Sequence, residues 1–168
     1  MRTVAVALSI AVLASSSGRA SVTPVKARRK APALTLSDAN GSRVRLSDYK
    51  GKVVVLDFWA TWCTGCKVEI PWFMEFQSKY KSQGLETIGA AMDEEGWEKV
   101  QPYVNEHPFN YPIVAGNPAA LAKALSIVGL PLTILIDRKG RIVDSHAGVV
   151  DKDAWEQEVR ALLQEQAR

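Results

Sequence analysis

The two cysteines of this 168-residue chain, Cys63 and Cys66, follow directly on a strongly apolar segment. The valine-rich segment Lys52–Trp59 predicts a strand buried on both faces, and the pattern over Cys63–Ser82 predicts a helix. Their spacing places both sulfurs on the first helical turn, close enough to form a disulfide. Unpaired N–H groups and the helix dipole at that turn stabilise a thiolate on Cys63, and a thiolate is the species that attacks disulfides. The residues therefore indicate thiol–disulfide exchange, in which Cys63 attacks and Cys66 resolves the mixed disulfide.

Two other interpretations of the cysteine pair stay open on residue type alone. A four-ligand zinc site would need both cysteines to converge with His107 and His146, the two histidines of the chain. An inert structural disulfide would close a very small loop and would add little stability. We expect each histidine to be structural, since one precedes a proline at a helix end and the other follows a strand.

Two acidic residues accompany the cysteines. Asp57 interrupts an apolar strand, so we expect its carboxyl to be buried, which raises the pKa of an aspartate and suits it to proton exchange. Glu69 follows Cys66 by three residues on a neighbouring face of the helix, where an ordinary exposed glutamate is the alternative.

The elements that must position these residues alternate between strands and helices. Asn40-Gly41 is a turn signal that predicts a β-hairpin, and Asn117 and Asp151 are suitable N-caps for two later helices. Predicted strands cover residues 33–37, 43–46, 52–59, 85–92, 113–114, 132–137 and 141–145, and predicted helices cover residues 63–82, 94–106, 118–125 and from 151 onwards. This order predicts one α/β domain with a central mixed sheet and helices on both faces. The cysteines then lie at the carboxyl edge of a parallel strand, where open α/β sheets place their sites.

The charge of the chain is unevenly distributed. The formal net charge is +3, but six of the 21 basic residues lie before residue 31 and all 18 acidic residues lie after residue 37. The folded part therefore has no basic excess, which argues against nucleic-acid binding.

The N-terminus has the pattern of a secretory signal peptide over residues 1–20. A basic start precedes the apolar stretch Val4–Ala14, and cleavage after Ala20 fits the small residues there. A retained short N-terminal anchor is the alternative. Residues 21–31 predict an exposed, poorly ordered basic linker, and residues 32–168 the folded domain.

The segment Phe58–Cys66 resembles the active-site signature of thioredoxins. The stretch Gly51–Cys63, followed by Glu69 and Pro71, is similar to the TlpA/ResA branch of extracytoplasmic thioredoxins in the redoxin (AhpC/TSA) superfamily. The resemblance implies a thioredoxin-like fold with an N-terminal β-hairpin and an added helix–strand insertion over residues 94–114.

The resemblance also implies roles for particular residues. Leu130 and Pro131 match the family's cis-proline loop, which lies against the two sulfurs and pairs with an extended substrate strand. Asp57 matches the buried aspartate that helps to deprotonate the inner cysteine, and Glu69 matches the glutamate that tunes the cysteines of ResA-like proteins.

Four further residues surround the cysteines. Trp59 and Trp62 flank them and are expected to form an apolar rim, and Thr64 and Gly65 lie between them in the substrate-binding region. Most relatives have a proline before the second cysteine, whereas this chain has Gly65, so the direction of electron flow stays open.

The function implied is extracytoplasmic reduction of protein disulfides, with apocytochrome c as one possible substrate. A membrane thiol donor of the DsbD/CcdA type would return electrons to the cysteine pair. We expect a periplasmic or otherwise exported monomer that needs no cofactor beyond the Cys63–Cys66 disulfide.

Two other functions stay open. A thiol peroxidase shares the broader fold, but the residues around Cys63 do not match its pattern. A Sco-type copper-delivery protein usually has three residues between its cysteines and a nearby histidine, for which only His146 is available here.

Overall fold

Eight strands form one mixed sheet in the computed structural model, which describes residues 22–165. The strands are β1 Arg29–Lys30, β2 Thr35–Ser37, β3 Arg43–Arg45, β4 Val53–Trp59, β5 Leu85–Ala91, β6 Ile113–Ala115, β7 Leu132–Ile136 and β8 Arg141–Ala147. Their order across the sheet is β1-β8-β7-β4-β5-β6-β2-β3. The predicted signal peptide over residues 1–20 lies outside the described residues.

The centre of the sheet is built around β4, whose seven residues are all buried. β5 pairs with β4 in parallel and β7 pairs with it in antiparallel, so Asp57 lies between Gly89 and Thr133. The continuous apolar run of β4 is explained by this position, because a central strand is covered on both faces.

Four α-helices cover the two faces of this sheet, as the alternating pattern predicts. They are α1 Thr64–Tyr80, α2 Trp97–Glu106, α3 Pro118–Leu125 and α4 Lys152–Gln164. Residues of α1, α2 and α4 pack with Val53, Val55 and Trp59 on one face. Leu121 of α3 packs on the opposite face with Leu56 and Phe58. No helix within residues 22–165 is both long and apolar enough to span a membrane.

Helix α2 begins three residues later than the sequence predicts. Glu94 and Glu95 belong to a turn that ends at Gly96, whose φ of 59° is in the left-handed region. A glycine adopts that conformation without steric cost, and the helix starts directly after it.

The predicted linker over residues 21–31 is wrong for the stretch from Arg28 to Lys30. Arg29 and Lys30 pair with Ile142 and Arg141 as the edge strand β1. The Arg28 side chain is 2% exposed and forms ion pairs with Asp137 at 3.2 Å and Glu165 at 2.7 Å. The basic composition that suggested a solvated segment instead supplies a buried guanidinium, which is stabilised because it is paired.

Candidate active site

The cysteine pair lies where the sequence places it, at the start of α1. Cys63 is the N-cap residue and forms a disulfide with Cys66, with 5.3 Å between the two Cα atoms. The Cys63 sulfur also accepts a hydrogen bond of 3.1 Å from the backbone N–H of Cys66. Cys63 is 4% exposed and Cys66 is completely buried. The order of accessibility matches an attacking Cys63 and a resolving Cys66.

The loop between β4 and α1 is held by the end of the neighbouring strand. Asp93, just beyond β5, is 1% exposed. Its carboxylate accepts a hydrogen bond of 2.6 Å from the Thr61 hydroxyl and bonds of 3.1 and 3.2 Å from the Thr61 backbone N–H. The Cys63 backbone N–H donates to the Ala60 carbonyl at 3.1 Å. These contacts fix the approach of the chain to the attacking cysteine.

A second loop lies against the start of α1. The Leu130–Pro131 peptide bond is cis, and Pro131 is buried while Leu130 is half-buried. The Pro131 Cδ atom is 3.1 Å from the point where a side chain on Gly65 would begin, and the Val149 Cγ2 atom is 3.0 Å from it. Gly65 therefore allows a close approach of both loops to the cysteine pair, which a larger residue would obstruct.

Glu69 is completely buried, so its interpretation as an exposed helix residue is wrong. One carboxylate oxygen accepts a hydrogen bond of 2.6 Å from the backbone N–H of Val150. Burial raises the pKa of Glu69, while the bond from Val150 and the charge of His146 lower it. Glu69 thus connects the helix that carries Cys66 to the loop that covers Gly65.

Asp57 is completely buried, as its apolar surroundings predict. Strand alternation places its carboxyl on the same face as Val55 and Trp59, beneath α1 and Cys66. Burial raises the pKa of Asp57 well above its usual range, and the charge of Glu69 raises it further. Burial therefore favours the protonated carboxyl more than in an exposed aspartate, and a raised pKa of this kind suits a carboxyl to proton exchange with a thiol.

The tryptophans beside the cysteines differ in environment. Trp62 is 66% exposed and presents its ring to solvent next to Cys63, while Thr64 is exposed as well. The expectation that Trp59 also forms the rim is wrong, because it is completely buried and packs against Tyr103 and Phe109. Trp59 is the last residue of β4, and strand alternation turns its side chain into the core.

The zinc and copper interpretations both require a group of side chains that converge as metal ligands. Across residues 22–165, no three His, Cys, Asp or Glu side chains converge in a way that could hold a metal ion. His146 lies edge-on to Trp155 at 6.3 Å between ring centroids, and His107 lies against Tyr103 at 4.6 Å.

A redox pair at the first turn of a helix, facing a cis-proline loop on a helix-covered mixed sheet, defines the thioredoxin-like class of proteins. Comparison with known proteins agrees with this class. The model of the AhpC/TSA family matches residues 27–145, and the chain belongs to that family.

Relatives in this family include thiol-disulfide oxidoreductases named ResA. ResA of Bacillus thuringiensis subsp. konkukian is 31% identical over 134 residues, which cover 80% of this chain and 77% of that protein. ResA of Geobacillus kaustophilus is 33% identical over 140 residues, covering 83% and 80%. With these relatives and its Cys63–Cys66 disulfide, the chain is a thiol–disulfide oxidoreductase.

Solved structures show the same fold. A thiol:disulfide interchange protein of the thioredoxin family from Chlorobium tepidum superposes with a TM-score of 0.71 at 27% identity, covering 81% of this chain and 97% of that one. The thioredoxin domain of a thiol-disulfide oxidoreductase from Bacteroides vulgatus gives a TM-score of 0.70 at 28% identity, covering 79% and 95%.

Sequence reasoning missed two residues of this region. Asp93 carried a signal, because it follows a buried parallel strand next to β4 and so had to lie at the same sheet edge as the cysteines. Val149 carried none, since it reaches the region from a segment whose position depends on the whole fold.

Proposed function

We propose that this protein reduces disulfide bonds of exported proteins outside the cytoplasm. The observation that carries the proposal is the placement of Cys63, at the start of α1 and more accessible than Cys66. Gly65 and the cis-proline loop border the pair, so the extended substrate segment is proposed to bind along them, beside the attacking sulfur.

The reaction follows from the two cysteines and balances without a bound cofactor. In the reduced protein, the Cys63 thiolate attacks one sulfur of the substrate disulfide, forms a mixed disulfide and releases the first substrate thiolate. The Cys66 thiol gives its proton to Asp57 and attacks the Cys63 sulfur, which releases the second substrate thiolate. Two electrons pass to the substrate and the protein keeps the disulfide. The proton on Asp57 then passes to a released thiolate or to solvent.

Substrate binding is proposed for the residues that border the cysteines. Trp62 is 66% and Val149 43% exposed, and the two side chains supply apolar contact area beside the cysteines for a partially unfolded substrate. Leu130 and Pro131 supply the backbone edge along which the substrate segment extends, while Thr64 lies exposed at the helix start. Cysteine pairs of apocytochrome c are one substrate of suitable chemistry.

Sustained reduction requires a dithiol donor, because each cycle leaves the protein oxidised. A membrane thiol donor of the DsbD/CcdA type is the proposed source of electrons. Export is supported by the basic and apolar start of the chain. N-terminal sequencing of the exported protein is expected to begin at Ser21; an intact Met1 would point to a retained anchor.

Trapping of the mixed disulfide tests the exchange reaction. Reduced Cys66→Ser protein is incubated with a synthetic peptide that carries one internal disulfide, and the products are resolved by mass spectrometry. The variant is expected to accumulate a one-to-one adduct through Cys63, whereas the matched variant Cys63→Ser forms none. An adduct with Cys63→Ser alone would contradict the assignment. Rapid consumption of hydrogen peroxide with slow peptide reduction would favour the thiol peroxidase alternative.

A further inference from the structure

Basic side chains are concentrated at the end of the sheet that lies opposite the cysteines. β4 begins at Val53 and leads to Cys63 beyond its other end, and its seven residues span about 20 Å. Four segments with basic residues meet at the Val53 end, and we call this surface the basic pole. Its members are Lys26, Arg28, Arg29, Lys30, Lys50, Lys52, Lys81, Arg138, Lys139 and Arg141.

Hydrogen bonds between the four segments hold the basic pole together. The Gly51 N–H donates to the Arg138 carbonyl at 2.9 Å, and the Arg138 guanidinium donates to the carbonyls of Gly51 at 2.8 Å and Gln83 at 3.0 Å. The Ala31 N–H donates to the Gly140 carbonyl at 2.9 Å. Segments that are distant in sequence therefore present their basic side chains from one connected surface.

Acidic side chains neutralise only part of this charge. The ion pairs at the pole are Arg28 with Asp137 and Glu165, Arg141 with Asp137, and Lys52 with Glu86. Asp48 is a further exposed carboxylate, two residues before Lys50. Within residues 22–165, the exposed basic side chains of the pole without an ion-pair partner are Lys26, Arg29, Lys30, Lys50, Lys81 and Lys139. The pole therefore presents a positive excess to solvent.

The loop that follows β5, at the opposite end of the sheet, is acidic. Glu94, Glu95 and Glu98 are exposed there, with Lys99 as the adjacent cation. Because β5 runs parallel to β4, this loop lies at the end of the sheet that carries the cysteines. A negatively charged surface attracts the basic pole and repels this loop, so it would orient the domain as well as bind it.

The described chain enters the domain at the basic pole. Residues 22–28 lead directly into β1, and Arg28 attaches them to the domain through its buried ion pairs. The apolar stretch Val4–Ala14 lies upstream of this point in the sequence. A basic cluster combined with an apolar segment is a combination by which proteins bind anionic bilayers. This connection favours a lipid surface over a nucleic acid as the anionic partner.

We propose that the basic pole binds the anionic phospholipid headgroups of a membrane surface. Headgroup phosphates accept the charge-assisted hydrogen bonds that exposed lysines and arginines donate. Because the cysteines lie at the other end of the sheet, the bound protein keeps Cys63 free to react. Lipid binding is separate from the exchange reaction and places it at the bilayer surface, where a membrane thiol donor would lie.

Vesicle flotation of the full-length oxidised protein tests this binding. The vesicles contain phosphatidylcholine alone, which is zwitterionic, or phosphatidylcholine mixed with anionic phosphatidylglycerol. The stretch Val4–Ala14 is present in every protein compared, so it does not account for a difference between variants. The readout needs no turnover, so a protein that fails in the trapping experiment can still bind the vesicles.

Two triple variants with the same net charge separate the pole from the rest of the surface. The pole variant removes three exposed charges of the basic pole: Arg29→Gln, Lys30→Gln and Lys139→Gln. The control variant removes three exposed charges elsewhere: Arg43→Gln, Lys99→Gln and Lys123→Gln. Both should unfold at the wild-type temperature, because all six side chains are exposed.

At low salt the wild type is expected to bind the anionic vesicles at least about tenfold more tightly than the zwitterionic ones, and high salt should remove this preference. The pole variant should lose about tenfold or more in affinity for the anionic vesicles, and the control variant less than about twofold. Equal binding to both vesicle types would overturn the proposal, as would equal losses in the two variants. Tighter binding to double-stranded DNA than to anionic vesicles would assign the pole to nucleic acid and would also overturn it.

Discussion

The Glu69 carboxylate and the backbone N–H of Val150, 81 residues apart in the chain, form a buried hydrogen bond of 2.6 Å. This bond joins the second turn of α1 to the loop between β8 and α4. The same loop is held from the other side, because the Gly148 N–H donates to the Pro131 carbonyl at 2.8 Å. Val149 lies between these two attachments and contacts Gly65. The loop beside the cysteines is therefore fixed by two hydrogen bonds that its backbone N–H groups donate.

Glu69→Ala is expected to release this loop. The substitution leaves the Val150 N–H without its acceptor, which costs about 1–3 kcal/mol of unfolding free energy. Amide hydrogen exchange at Val150 should accelerate while exchange in the centre of β4 stays slow. Glu69→Gln keeps an acceptor oxygen and is the matched control, with a smaller loss. Equal protection of Val150 in Glu69→Ala and the wild type would contradict the role of this bond.

Gly65→Ala is expected to lower stability by about 1 kcal/mol. Its new methyl group would meet Val149 at 3.0 Å and Pro131 at 3.1 Å, and overpacking of this kind costs about 1–3 kcal/mol. The gain in helix propensity offsets at most about 1 kcal/mol. Gly129→Ala is the control, since nothing lies within 4 Å of the corresponding point there. Urea unfolding of the oxidised proteins measures the stability of both variants. A Gly65→Ala variant more stable than the wild type would show that the Pro131 and Val149 loops move aside without cost, and would contradict the prediction.

Asp57→Asn is expected to alter how stability depends on pH. The raised pKa of Asp57 means that the folded protein prefers the protonated carboxyl, so its contribution is complete below the ordinary aspartate range, near pH 4. It is lost as the pH rises through the folded pKa, by about 1.4 kcal/mol for each pH unit that separates the folded pKa from the unfolded one. The asparagine variant should therefore have a flatter profile and should gain on the wild type at higher pH. Parallel profiles between pH 4 and 9 would contradict the burial argument.

Glu158, a buried residue of α4, is expected to make the stability of the protein depend on pH in a second range. Burial raises the pKa of Glu158 to about 7, and the charge of Asp144 adds to this shift. The protonated form is favoured in the folded state, so its contribution declines between about pH 4.5 and 7. Glu158→Gln should be similar to the wild type at pH 4 and more stable than it at pH 8. The expected gain is about 2 kcal/mol, less than the full pKa shift would give, because solvent partly screens this carboxyl. The exposed Glu94→Gln is the control, and a similar gain there would show a general charge effect instead.

The local features of this site could be predicted from sequence because each is carried by neighbouring residues. The run of valines before Asp57 requires a buried strand, and the spacing of Cys63 and Cys66 requires a shared helical turn. The burial of Asp57 follows from the same run.

Contacts between distant segments could not be predicted in this way. Periodicity shows that one face of α1 is apolar, but it does not show that Val150 would satisfy the carboxylate of Glu69 on that helix. Arg28 is a comparable case. The composition of residues 21–31 indicates a solvated linker, whereas the ion-pair partners of Arg28, Asp137 and Glu165, lie 109 and 137 residues away.

The reduction potential of the Cys63–Cys66 pair tests the central claim most directly. The protein is equilibrated in thiol/disulfide buffers of graded poise, and tryptophan fluorescence is followed, since Trp62 adjoins Cys63. A single reversible transition near the thioredoxin value of about −270 mV, absent in Cys63→Ser, is the predicted result for a reductant supplied by a thiol donor. A transition near the DsbA value of about −120 mV would contradict the reductive function and identify an oxidant.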